Sequence, residues 1–306
     1  MKFRFLSFIE LESILAESGL NAAEYALKRE AFISGRGEAE IAVELDRRIA
    51  VTRAALEKGL AEAQRSRSGL TDGAAVKVAT SGRRLLADGL VTRTIAYSLA
   101  VNEVNACGGK VVSFPTAGSS GIVPGAIWAW WDERGPVPAP PLPAAPPSPR
   151  QPYDGRVRGA FLNASLVGVL IAQAATLAGA EGGCQAECGA AGAMAAAAVA
   201  HLEGLPLADC FAAAALSLKN SLGLACDPVA GLVEVPCVKR NAFVAAQALV
   251  AVELTLAGVR SAVPFDEVVQ AMKSIGDSMP ASIKENAEGG LAATPTGLAY
   301  KSKMGV

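Results

Sequence analysis

Imidazole, aromatic rings and an excess of charge of either sign are nearly missing from this sequence. His201 is the single histidine among 306 residues, and Phe, Trp and Tyr make up only 5% of them. It lies in an apolar, alanine-rich stretch, where a histidine is more often a helix-end residue than a metal ligand. The scarcity of rings means that the apolar half of the chain, 51% of its residues, is mostly Ala, Val and Leu alongside many Gly, a composition that favours closely packed helices. Against 29 Asp and Glu stand 28 Lys and Arg, a formal net charge of -1. No positive potential is left over to neutralise phosphates, which argues against nucleic acid as a partner. At the N-terminus only Lys2 and Arg4 precede a short apolar run that soon meets Glu10 and Glu12. That run lacks the uninterrupted core and cleavage site of a secretory signal, so a cytoplasmic protein is expected.

No series of strands is legible, whereas helical periodicity is widespread. Helices are expected over 90–106, 160–178, 190–202, 208–222, 240–257 and 265–279, separated by Gly, Pro or Asp turns. Ala195 to Ala198 carry no polar face, so that helix must be enclosed by others. The expected fold class is therefore all-α or nearly so, an Ala/Gly-rich, closely packed helical domain. Mean hydropathy is +0.33, and residues 160–180 are about long enough to span a bilayer. Asn163, Ser165, Gln173 and Thr176 interrupt that stretch, which reads as a core helix and not as a membrane span.

Residues 1–65 read as an N-terminal amphipathic helical segment, a lid or an interface, with Ile41, Leu45, Ile49 and Leu56 at helical spacing. Residues 66–84 are rich in Ser, Gly and Thr and are expected to be loop. The string Phe114-Pro115-Thr116-Ala117-Gly118-Ser119-Ser120-Gly121 reads as a loop that opens a helix near Pro124. Its backbone N–H groups are candidates for holding an anion such as a carboxylate, though an ordinary turn has the same composition. Nine of the 17 prolines fall in 136–152, which marks an extended connector within the 66–306 domain.

Six cysteines without a secretion signal point to free thiols or metal ligands more than to disulfides. Cys184, Cys226 and Cys237 each lie at the boundary of an expected helix, and Lys239 and Arg240 stand beside the last of them. Helix N-termini and nearby cations favour the thiolate that a metal needs. Cys107 and Cys210 read as small apolar side chains. Cys188 forms a C-x3-C pair with Cys184, but a second short pair is missing, so a closed zinc site has little support.

The strings Ala180-Glu181-Gly182-Gly183-Cys184-Gln185, Cys226-Asp227-Pro228-Val229-Ala230-Gly231-Leu232-Val233, Val235-Pro236-Cys237-Val238-Lys239-Arg240-Asn241 and Pro115-Thr116-Ala117-Gly118-Ser119-Ser120-Gly121 resemble the alpha subunit of iron–sulfur-dependent L-serine dehydratase. The similarity extends through Ser68-Gly69-Leu70 and the stretch from Gly289 to Gly297. The resemblance implies a [4Fe–4S] cluster held by Cys184, Cys226 and Cys237, with one iron lacking a protein ligand and acting as a Lewis acid. It implies a lyase that converts L-serine to pyruvate and ammonia without PLP, and Lys77, Lys110, Lys219 and Lys239 lie in no convincing PLP motif. Thr116, Gly118, Ser119 and Ser120 are the substrate-binding candidates. The family's histidine-containing domain is absent, which implies a separate beta subunit carrying the base, in an oligomeric assembly. Residues 132–158 depart from the family; a local insertion or a frame slip in a GC-rich gene would each give such a string. Two rival readings are the same scaffold acting on threonine or cysteine, and a non-catalytic iron–sulfur or zinc subunit.

Overall fold

The computed structural model describes residues 2–83, 85–87, 89–136 and 153–305. The elements are helices α1 (Phe8–Ser18), α2 (Ala22–Ser34), α3 (Glu38–Ala61), α4 (Ala74–Ala79), α5 (Gly89–Ala106), α6 (Ile122–Arg134), α7 (Gly155–Ala174) and the single turn α8 (Gly179–Gly182). After a π-helical turn, Gln185–Gly189, come α9 (Ala190–Leu202), α10 (Leu207–Lys219), α11 (Cys237–Leu256), α12 (Phe265–Ser278) and α13 (Pro295–Met304). Among the described residues there is no strand, only the isolated bridges Arg65 to Asp72 and Cys226 to Lys284. The all-α expectation holds.

Helix α9 is the centre of the packing. Of its residues only His201 is less than fully buried, and α6, α7, α10 and α11 surround it. Eight of its thirteen residues are alanine, so neighbouring backbones approach closely. The gain comes from many small contacts, each methyl-sized group contributing about 0.8 kcal/mol on leaving water. Helix α7, the apolar stretch long enough to span a bilayer, has 67% of its most apolar window buried inside this arrangement. It starts earlier than its periodicity indicates, because the Asp154 side chain caps it by accepting from the Arg156 N–H at 2.8 Å.

The N-terminal segment is three helices, the second opened by a capping box between Asn21 and Glu24. Helix α3 lies on α5 and contributes Ile49 and Leu56 to the core, so it is a structural layer and not a lid. Residues 66–84 contain α4, which composition alone does not indicate. The buried Glu103 carboxylate of α5 accepts the N–H groups of Ala74 (2.6 Å) and Ala75 (3.1 Å) and so caps α4 from another element. The proline-rich connector lies outside the described residues apart from Pro136, but both of its flanks are packed. Tyr153 stacks edge-on against Trp128, and Arg158 pairs with Asp46.

A buried polar network joins α3, α5 and α6. Arg53 Nη1 donates to Asp132 at 2.9 Å, the Tyr97 hydroxyl donates to the same carboxylate at 2.7 Å, and the Arg53 guanidinium lies over the Trp128 ring at 5.1 Å. Burial, then the Asp132 charge, pushes the Tyr97 phenol up. The Arg53 and Asp132 side chains are only 16% and 6% exposed. Replacing Asp132 with Ala is expected to destabilise the chain by about 3 kcal/mol, because it leaves the buried Arg53 guanidinium with only the partly exposed Glu57 as its ion pair and the Tyr97 hydroxyl without its acceptor. Asp277→Ala, which breaks the exposed pair with Lys273, should cost less than about 0.5 kcal/mol. Urea unfolding of the two variants measures the difference.

Candidate metal centre

Three segments bring cysteines to one place below the start of α9. Cys184 follows Gly183, whose φ of 71° and ψ of -175° belong to a region that is essentially glycine's alone. Cys226 lies in an extended stretch pinned on both sides by the C-terminal region: its N–H donates to the Ile283 carbonyl at 2.9 Å and its carbonyl accepts from the Glu285 N–H at 2.7 Å. Cys237 is the first residue of α11, three positions earlier than the periodicity of that helix indicates, because Pro236 supplies a pre-set φ at its start. Cys188, on the π-helical turn, joins them. All of these thiols are buried, from 2% exposed for Cys184 and Cys188 to 8% for Cys237.

The electrostatics are those of thiols crowded together. Burial raises Cys226 far above the usual thiol value, and the charges of Glu187, Cys184 and Cys237 add to this. Burial, then the Cys184 charge, pushes Cys237 up to about 12. Cys184 alone is lowered, by its hydrogen bond with Cys188 and then by the Arg240 guanidinium. The reverse side of that bond raises Cys188. Arg240 is held in position by donating to the Ala225 carbonyl at 2.8 Å, with Asp227 at 3.6 Å. Burial by itself would lower Arg240, but the Cys184 charge and hydrogen bond, together with the charges of Cys188 and Cys237, outweigh it and its pKa rises. Several thiolates in so small a buried space repel one another, and a bound cationic centre removes that penalty. Among the described residues no three His, Cys, Asp or Glu groups come close enough to hold one metal ion. Clustered soft thiol donors suit a thiophilic metal group.

Polar side chains lock the segments together. Gln185 donates to the Met272 carbonyl at 2.8 Å and accepts from the Gly223 N–H at 3.0 Å, tying the π-helical turn to α12 and to the approach to Cys226. Asn241 donates to the carbonyls of Gly118 (2.7 Å) and Cys237 (2.9 Å) and accepts from the Gly121 N–H at 2.9 Å. It thus ties the 114–121 loop to the cysteine at the head of α11. Of the loop's N–H groups, candidates for an anion or for an ordinary turn, that of Gly121 is occupied by Asn241. Ser119 and Ser120 are fully buried, and the Ser119 hydroxyl donates to the Phe114 carbonyl at 2.9 Å. Thr116 and Gly118 instead face Glu187, a half-buried carboxylate on the π-helical turn. Sequence reading missed Gln185, Glu187 and Asn241 as site residues. Their only signal was polarity beside the cysteines in otherwise apolar helices.

The remaining cysteines and the histidine lie elsewhere. Cys210, in α10, is buried against the Leu205 carbonyl and pushed up to about 12 by burial and then by Asp209. Cys107 is half-buried at the end of α5. His201, its pKa lowered by burial, faces Gly159 of α7. Thirteen residues separate it from Cys188, about 20 Å along the helix axis.

The chain matches the family described as Serine dehydratase alpha chain over residues 17–292. It is 40% identical over 297 residues to the probable L-serine dehydratase, alpha chain, of Bacillus subtilis, covering 96% of this chain and 93% of that one. It is 39% identical over 292 residues to the L-serine dehydratase, alpha chain, of Peptoniphilus asaccharolyticus, with 94% of each chain covered. This chain belongs to the serine dehydratase alpha chain family. L-serine dehydratase 2 of Escherichia coli matches 95% of this chain at 34% identity but only 62% of its own length is covered, so that protein carries a further portion outside the match. In this serine dehydratase alpha chain the four clustered thiols, the 114–121 loop and Asn241 all fall within the family match.

The backbone at Gly183 provides a test of how tightly the centre is built. A Cβ there would lie 2.8 Å from the Leu224 carbonyl oxygen, whereas at Gly223, also at positive φ, it would meet nothing within 4 Å. Gly223→Ala is expected to cost about 1 kcal/mol of backbone strain. Gly183→Ala should cost about 3 kcal/mol, since the strain and the collision add. Denaturant midpoints of the two variants compare the costs directly.

Proposed function

We propose that this chain is the alpha subunit of a cytoplasmic L-serine dehydratase that converts L-serine to pyruvate and ammonia, and that Cys184, Cys226 and Cys237 hold a [4Fe–4S] cluster. The observation that carries the reading is the convergence of these thiols from three separate segments into one buried place, in a chain of this family. When bound, a cluster with one iron free of protein ligands supplies a Lewis acid that makes hydroxide a tolerable leaving group.

The chain's own residues have complementary tasks. Arg240 offsets the negative charge of the thiolates. The enclosing helices keep water from the sulfurs, and Asn241 fixes the distance between the cysteine at the head of α11 and the loop that bears Thr116 and Gly118. These two residues line the substrate side, with Ser119 and Ser120 bracing the loop from inside. Cys188 supports Cys184 by hydrogen bonding. His201 is too remote to take a proton from a substrate at the thiols, so the base for the α-proton belongs to a separate beta subunit, in keeping with the alpha-chain names of the relatives. Residues 66–306 form the cluster-binding domain in this reading, and residues 1–65 brace it through α3.

Co-expression with a beta chain and anaerobic purification should give a complex that contains iron and acid-labile sulfide and forms pyruvate from serine. Stoichiometric zinc without sulfide would overturn the assignment, and a preference for threonine or cysteine would redirect it. Substituting Ser for Cys184, Cys226 or Cys237 should abolish the cluster's broad visible absorbance, while Cys107→Ser and Cys210→Ser keep it. Absorbance after anaerobic reconstitution distinguishes the two groups.

A further inference from the structure

Glu187 is a carboxylate set among the thiols. It sits on the π-helical turn between Cys184 and Cys188, a helix irregularity that recurs at functional sites. Its Oε2 accepts from the Cys226 thiol at 3.5 Å, and the Thr116 hydroxyl bonds the same carboxylate. Bare backbone flanks it on two sides. A Cβ on Gly179 would lie 2.6 Å from Oε2, and one on Gly118 would lie 3.7 Å from Oε1. The carboxylate is half-buried while the thiols beneath it are closed off, so it is a charged group on the solvent side of the centre.

Among the described residues no Lys or Arg nitrogen forms an ion pair with Glu187, and the cation that acts on it from farther off, Arg240, is engaged by Cys184, Ala225 and Asp227. Its other charged neighbour, Glu285, is an anion held over the site at a φ of 68° by its N–H bond to the Cys226 carbonyl. A half-buried carboxylate among anions is stabilised by a cation that arrives with the ligand.

We propose that Glu187 receives the α-ammonium group of the substrate and thereby makes this site select amino acids over the corresponding 2-hydroxy acids. The inference rests on the reading of the chain as part of a serine-dehydrating enzyme. Ammonium bound here would stand beside the Thr116–Gly118 loop and within reach of the centre that Cys226 borders, which orients the rest of the molecule toward both.

The test uses the anaerobically purified complex of this chain with its beta chain. Glu187→Gln preserves shape and the contact with Thr116 but removes the charge. Its KM for L-serine should rise about 10–100-fold, the range expected for losing a hydrogen bond to a charged group, with a smaller change in kcat. Competitive inhibition by glycerate, which carries a hydroxyl in place of the ammonium, should stay the same or tighten. Iron content, visible absorbance and association with the beta chain should be unchanged, and Glu187→Asp should recover part of the serine affinity. The proposal is overturned by an unchanged KM, by equal weakening of serine and glycerate, by loss of iron, or by loss of the beta chain, the last being the mark of a cation supplied by the partner. A wild-type complex that does not act on serine would sink the assigned function instead.

Discussion

The structure depends on the absence of any polar face on α9. A helix made mostly of alanine, with Met194, Val199 and Leu202, cannot meet water on one side and a core on the other; it must be wrapped on all sides, and α6, α7, α10 and α11 do so. Because the side chains are small, these helices approach closely, and little volume remains for error. At Gly192 a Cβ would lie 2.7 Å from a Val244 methyl. The register of α11 against α9 is thereby set, and with it the position of Cys237 at the head of α11 relative to the π-helical turn that leads into α9.

The thiol centre exploits that rigidity. Its donors come from three stretches far apart in sequence, and none of those stretches is held by the cysteines alone. Gln185, Asn241 and Arg240 each bridge two segments through hydrogen bonds to main-chain groups. The C-terminal region closes the ring through its bridge to Cys226, and Asp227 accepts the Leu291 N–H at 2.7 Å. Crowded, buried thiols are an electrostatic cost in the bare chain, and that cost favours binding of a cationic group. The same crowding makes Glu187 conspicuous, since it adds negative charge where there is already an excess.

Much of this was legible in the order of residues. The 3.6-residue periodicity, the lack of any alternating pattern and the run of alanines determined a helical, enclosed core. Cys184, Cys226 and Cys237 were legible as candidates by the polar, glycine and proline residues around them, not by helix boundaries alone, since Cys107 also follows a helix end. Tertiary structure alone decided the rest, because it turns on contacts between segments distant in sequence. Helix α4 exists because Glu103 of another helix caps it, Ser119 and Ser120 turn inward because the loop closes on itself, and the Gly121 N–H is filled by an asparagine 120 residues away. Glu187 was unreadable for the same reason. A lone glutamate in an apolar helix gains meaning only when folding puts a thiol, a hydroxyl and two bare glycines around it, with no direct ion pair among the described residues.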